Sequence, residues 1–202
     1  MEPFTSHTGV VAPLDRADVD TDQIIPKQFL KRVERTGYGK FLFWDWRAEA
    51  DGTPIPGFIL NREPFTRASI LLARDNFGCG SSREHAAWAL RDFGFRVVLA
   101  PSFADIFREN ADQNGIAALE LPVADIKALL GRAEKDAPLE LTVDLAAQTV
   151  SDALRVVARF EIDAFRKKCL LGGLDRIGLT LQNLDDIDAY ERRRWPDLAH
   201  VG

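Results

Sequence analysis

Residues 69–100 read SILLARDNFGCGSSREHAAWALRDFGFRVVLA, and this stretch sets the fold class. Ile70 to Ala73 is an unbroken apolar run of strand length. Arg74 to Gly80 carries the polar and glycine residues of a loop. Ser82 to Phe93 has helical character and is closed by Gly94. Arg96 to Ala100 is a second apolar run. Apolar on both faces and separated by a helix, the two runs predict parallel strands joined by a right-handed crossover.

The alternation continues on the C-terminal side. Ser102 to Ala111 predicts a helix with Ser102 as its cap. Asp112 to Gly115 is a turn, Ile116 to Leu121 a third strand, and Val123 to Lys135 a helix. The rhythm then changes. Leu139 to Leu145 alternates polar and apolar, as a half-buried strand does. Leu154 to Ile162 is a further strand that would pair with it as a hairpin. Asp163 to Leu171 predicts a helix stopped by Gly172-Gly173, and Asp185 to Arg194 a last one. On the N-terminal side, His7 to Leu14 reads as a strand and Asp15 to Asp22 as a turn. Pro26 opens a short helix to about Val33. The aromatic stretch Lys40 to Arg47 is best explained by core or interface packing. Asp51 to Gly57 is a loop. The expectation is one α/β domain over residues 1–202, with a mixed or barrel-like β layer and flanking helices.

Composition narrows the function. A hydrophobic share of 46% and a charged share of 28% suit a globular chain rather than a disordered one. The net charge is -5 with both signs interspersed, and no basic stripe marks a nucleic-acid surface. Arg192-Arg193-Arg194 is a solvated helix terminus. No apolar run is long enough to span a bilayer, and the first residues lack the pattern of a signal peptide, so a reducing cytoplasm is expected. Cys79 and Cys169 are too few to ligate an iron–sulfur cluster. His7, His85 and His200 show no metal-ligand spacing. Any metal chemistry must borrow its ligands from elsewhere.

The candidate chemistry lies at Asp75 to Ala87. Ligands gather at the carboxyl ends of strands in α/β proteins. Gly78 and Gly80 would let backbone approach a ligand. Free amides at the helix start favour an anion, and Arg83 offers a fork for a carboxylate. Ser81 and Ser82 place two hydroxyls beside it. A structural reading is also open, because Ser81-x-x-Glu84 fits a capping box. The phosphate-loop lysine is absent and the dinucleotide pattern fails after Gly80. A Cys79 nucleophile paired with His85 is a weaker alternative.

Four segments in order extend the case. Gly80 to Ala86 (GSSREHA), Asp20 to Pro26 (DTDQIIP), Ala100 to Phe107 (APSFADIF), and Phe165 to Leu170 with Gly173 to Thr180 (FRKKCL…GLDRIGLT) span nearly the whole chain. The set resembles the swivelling domain of the aconitase superfamily, and the last segment resembles its bacterial isopropylmalate isomerase small subunits. The resemblance implies a swivelling β/β/α fold and a hydro-lyase that isomerises 2-isopropylmalate through 2-isopropylmaleate in leucine biosynthesis. It implies a partner, the isopropylmalate dehydratase large subunit, which carries a [4Fe-4S] cluster. It implies Ser81 as catalytic base, with Ser82, Arg83, Thr21 and Asp22 binding substrate. Its specificity loop falls on Phe29, Leu30, Lys31 and Arg32, where phenylalanine stands for the family's tyrosine and lysine for its arginine. Homoaconitase or citraconate hydratase subunits, and a non-catalytic carboxylate-binding module, are the rival readings.

Overall fold

The computed structural model describes residues 1–31, 34, 36–135 and 138–194. Among them seven strands form one mixed sheet: β1 (Ser6–Leu14), β2 (Ile70–Ala73), β3 (Val97–Ala100), β4 (Ala117–Glu120), β5 (Glu140–Asp144), β6 (Thr149–Ser151) and β7 (Val156–Arg159), in the order β4-β3-β2-β1-β5-β6-β7. The sheet curls into a half-barrel. β1 joins its two halves. Val11 to Leu14 pair parallel with Ile70 to Ala73, while Ser6 to Val10 pair antiparallel with β5. β2, β3 and β4 continue in parallel; β6 and β7 continue antiparallel.

The two halves follow their sequence patterns. β2 and β3 are buried at every residue, because helices and further strands cover both faces. Leu71, Ala73, Val98 and Ala100 pack with α3 (Glu84–Phe93) and α4 (Asp105–Gln113). Ile70, Leu72, Val97 and Leu99 pack on the other side with α5 (Val123–Ala133), β5 and β6, and Leu170. β5 buries only Leu141 and Val143, as its alternation predicts.

Several boundaries differ from the sequence reading. The Pro26 segment is a single 3-10 turn, Lys27–Phe29, and Arg32 and Val33 lie outside the described residues. Two short helices, α1 (Thr21–Ile24) and α2 (Trp44–Arg47), stand where a turn and an aromatic run were read. Ser102 caps no helix. α4 starts three residues later, and the Ser102 hydroxyl accepts from the Asn76 amide at 2.8 Å. The expected hairpin contains a third strand, since β6 stands between β5 and β7. A three-residue strand is too short to show periodicity. Beyond α6 (Ala164–Gly172), α7 (Arg176–Leu181) escaped the reading because it is six residues long and contains Gly178. It is capped by Asp175, whose side chain accepts from the Gly178 amide. α8 (Leu184–Arg194) matches its expected span, and its arginine run is exposed.

Candidate functional site

The loops after β1, β2 and β3 meet at one end of the parallel half-sheet. Asp20 and Cys79 form a parallel bridge, and so do Phe77 and Phe103. Residue by residue, the first loop is laced to the second. The Asp18 amide donates to the Asp75 carbonyl at 3.0 Å, the Gly78 amide to Val19 at 2.7 Å and the Thr21 amide to Cys79 at 2.9 Å. The Thr21 hydroxyl donates to the Ser81 carbonyl at 2.8 Å. Arg83 closes the series by donating Nη1 and Nη2 to the two oxygens of Asp22, with Nη2···Oδ2 at 3.1 Å. The structure therefore brings Thr21, Asp22, Ser81, Ser82 and Arg83 together across 60 residues of sequence.

The capping box lies elsewhere than at Ser81-x-x-Glu84. Glu84 is the first residue of α3, and the position before it is Arg83, which makes no side-chain cap. The box forms instead at α1. The Gln23 amide donates to Asp20 Oδ1 at 2.7 Å, and the Asp20 amide donates to Gln23 Oε1 at 2.9 Å. Ser81 and Ser82 are exposed, and neither hydroxyl has a hydrogen-bond partner among the described residues. An uncapped helix start with free amides, two unpaired hydroxyls and a guanidinium suits an anion.

Each side chain is held in a definite state. Thr21 is only 2% exposed, so its hydroxyl is committed to the loop. The Arg83 side chain is 10% exposed and that of Asp22 is 40% exposed. The Arg83 hydrogen bonds hold the Asp22 carboxyl below its ordinary range, helped by the charges of Arg83 and Lys27. Lys27, 3.6 Å from Asp22 Oδ2, was not picked out from the sequence. Its only signal there was its place one residue after DTDQIIP.

Gly78 serves packing rather than ligand approach, and Gly78 and Gly80 share a backbone shape. Both have left-handed backbones, φ 79° and 85°. A Cβ on Gly78 would lie 2.1 Å from Phe107 Cγ, so that ring occupies the space. Burial, with the charges of Asp20 and Asp18, pushes the Cys79 thiol above its ordinary value. His85 is pushed down by burial and packs its ring against Trp88 and Tyr38, at 4.6 and 5.4 Å. Neither state suits a thiolate–imidazole pair.

Phe29 stacks on Phe41 at 4.0 Å and meets Trp44 edge-on at 5.1 Å. Leu30 is half-buried and Lys31 exposed; Arg32 lies outside the described residues. The Phe165–Leu170 motif is satisfied internally. Arg166 donates to Asp112 and to the Ala118 carbonyl, and Lys167 to Ala146 and Gln148. A cavity of about 480 Å³ lined by Leu14, Arg16, Phe58, Arg62, Phe65 and Glu134 holds none of the predicted site residues.

Comparison with known proteins identifies the family. The family described as "Aconitase C-terminal domain" matches residues 1–124, and the one described as the C-terminal domain of the 3-isopropylmalate dehydratase small subunit matches residues 177–195. A 3-isopropylmalate dehydratase small subunit from Brevibacillus brevis is 58% identical, over 96% of this chain and 100% of that one. The chain belongs to the 3-isopropylmalate dehydratase small-subunit family. Another member, from Koribacter versatilis, is 55% identical over 95% of this chain and 98% of its own. The crystal structure of a 3-isopropylmalate dehydratase from Methanocaldococcus jannaschii superposes with a TM-score of 0.64 at 22% identity, covering 91% of this chain and 99% of that one. That likeness concerns the fold. Among the described residues, no three His, Cys, Asp or Glu side chains converge to hold a metal ion. No helix there is long and apolar enough to cross a membrane.

Proposed function

We propose that this chain is the small subunit of a hydro-lyase that converts 2-isopropylmalate to 3-isopropylmalate through 2-isopropylmaleate, in leucine biosynthesis, and that it acts only with a large subunit. The observation that carries the reading is the pair of exposed hydroxyls, Ser81 and Ser82, without a protein partner among the described residues, between the Thr21-held loop and the uncapped start of α3. The full-length kinship supports the substrate.

In the forward half-reaction a proton leaves the carbon beside a carboxylate and hydroxide leaves its neighbour, giving the double bond. Rehydration adds the proton and hydroxide to the exchanged carbons. Ser81 Oγ takes and returns the proton. A free serine is a weak base, so its anionic form needs preorganised donors. The Arg83 N–H groups not donated to Asp22 and the free amides of α3 supply them, and also fix a substrate carboxylate. Ser82 adds a hydrogen bond to that carboxylate. Asp22 aims the Arg83 fork, and Thr21 acts through the Ser81 carbonyl it holds. Phe29, Leu30, Lys31 and Arg32 would meet the remainder of the substrate. Phe29 does so from an aromatic cluster that fixes its ring.

The cluster implied by the family does not fit this chain. Cys79 is held in a loop and Cys169 is buried in α6, and burial pushes both thiols up, away from the thiolate a ligand needs. We assign the [4Fe-4S] group to the large subunit, where it would serve as a Lewis acid toward the departing hydroxyl. Residues 1–202 act as one swivelling-type unit, a reading supported by the continuous sheet. Two free thiols suit a reducing cytoplasm.

The test is copurification with the large subunit and an anaerobic assay on isopropylmalate and citraconate. Activity confined to the complex, with isopropylmalate preferred, is expected. A stoichiometric cluster on the isolated chain would overturn the two-chain reading. Inactivity with every dicarboxylate despite a verified cluster would favour a binding module.

A further inference from the structure

Two residues outside the GSSREHA and DTDQIIP segments link the loop that carries Ser81 to its neighbours. We propose that Asp18 and Asn76 form a positioning pair that holds the start of the Asp75–Arg83 loop; the proposal rests on the roles given above to Ser81 and Arg83. Asp18 and Asn76 both have left-handed backbones, φ 53° and 56°. Their side chains meet directly, with Asn76 Nδ2 donating to Asp18 Oδ1 at 2.7 Å. The Asn76 amide is tied in turn to Ser102 Oγ at 2.8 Å, so the pair joins all three loops.

Three arguments separate this pair from an ordinary turn contact. Both residues are exposed, so burial does not explain them. A left-handed backbone disfavours residues with a side chain, and glycine would adopt it freely. Unlike glycine, Asp18 and Asn76 bring side chains to this backbone shape, and those side chains bond each other from one loop to the next. Finally, the bond lies between two anchors of the lacing, the Arg74 amide on the Arg16 carbonyl at 3.0 Å before it and the Gly78 amide on Val19 after it. The Asp18–Asp75, Val19–Gly78, Thr21–Cys79, Thr21–Ser81 and Asp22–Arg83 contacts follow it in order. Loosening it would free the span between those anchors, just before the contacts that hold the Ser81 carbonyl and Arg83.

Reversing the bond tests the idea. Asn76→Asp sets two carboxylates against each other, whereas Asp18→Asn with Asn76→Asp exchanges donor and acceptor. Both residue types tolerate the left-handed backbone. In the complex with the large subunit, Asn76→Asp should lower kcat at least about tenfold, as a small misplacement does. KM should change less than about threefold, because Arg83 keeps its own anchor. The double variant should return kcat to within about threefold of the parent. Amide hydrogen exchange on the full chain gives a readout independent of turnover: Gly78 and Thr21 should exchange faster in Asn76→Asp and slow again in the double variant. Unchanged kcat in Asn76→Asp beside a lowered Tm would reduce the pair to a structural tie and overturn the proposal. So would exchange rates that ignore the substitution, or a double variant that recovers exchange but not kcat. An inactive parent complex with its cluster in place would instead break the functional reading, while the exchange measurement would still decide whether the pair sets the loop.

Discussion

Two of the arginine–aspartate forks among the described residues differ in which partner is buried. In the site, Arg83 is the buried member and Asp22 the exposed one. Between α4 and α6, Asp112 is the more buried, its side chain 11% exposed beside 25% for Arg166. The shifts run in opposite directions. Arg83 draws the Asp22 carboxyl down, whereas burial raises that of Asp112 more than Arg166 lowers it. Arg166 also satisfies the Ala118 carbonyl. Next to Arg83 stand two hydroxyls and helix amides with no partner among the described residues. The same ion pair is thus enclosed by satisfied partners at Asp112 and, among the described residues, flanked by open ones at Asp22.

The sharpest way to break this contrast is at Ser81. Ser81→Ala in the reconstituted complex should lower kcat by at least about a hundredfold, the lower end for a positioned acid–base group. Tm should barely move, because the hydroxyl caps no helix. Steady-state kinetics with parallel melting decides it, and near-normal turnover would remove the open site from the comparison.

Arg166→Met probes the other fork. It leaves Asp112 buried without its guanidinium and should cost about 3–5 kcal/mol of stability. Turnover per folded complex should stay near normal. Adding Asp112→Leu should recover most of the loss, as denaturant titration would show. A large fall in kcat at unchanged stability would mean that this fork also serves the reaction.

Arg83→Lys keeps the charge and loses the fork. KM should rise by about tenfold, in line with the loss of one charge-assisted hydrogen bond, and kcat should change less. Equal losses in both would shift Arg83 from substrate grip to transition-state support.

The smallest effect is in the pH dependence of stability. Asp22 has a lowered pKa, so its contribution is present above the ordinary carboxylate value near 3.8 and is lost as pH falls below it. Asp112 is raised, so its contribution to stability declines as pH rises from that value through its folded pKa. Melting curves for Asp22→Asn and Asp112→Asn between pH 3 and 7 should therefore differ from the parent with opposite slopes. Slopes of the same sign would refute the assigned burial.

Much of this was legible in the chain itself. Apolar runs at 70–73 and 97–100 read as buried strands, because four residues are too few for a helix and an unbroken apolar run needs both faces covered. Alternation at 139–145 identified a half-exposed one. Gly94 and Gly173 stopped their helices, since helices close readily in the left-handed region that glycine favours. Ser81, Ser82 and Arg83 were visible because their spacing is local.

Tertiary structure decided the rest, for one physical reason: a polar group's role depends on which partner reaches it, and partners come from distant sequence. Ser81-x-x-Glu84 and Asp20-x-x-Gln23 both fit a cap on paper, but α3 begins at Glu84 and only the second box closes. Ser102 suits a helix cap by type, and the Asn76 amide took it first. Gly78 looked like space for a ligand until the Phe107 ring filled it. Thr21 and Asp22 were marked by resemblance, but only the fold shows that one holds the Ser81 carbonyl and the other the Arg83 fork. Local spacing determines which residues can cap, turn or bury; packing across 60 residues determines which of them are left free to react.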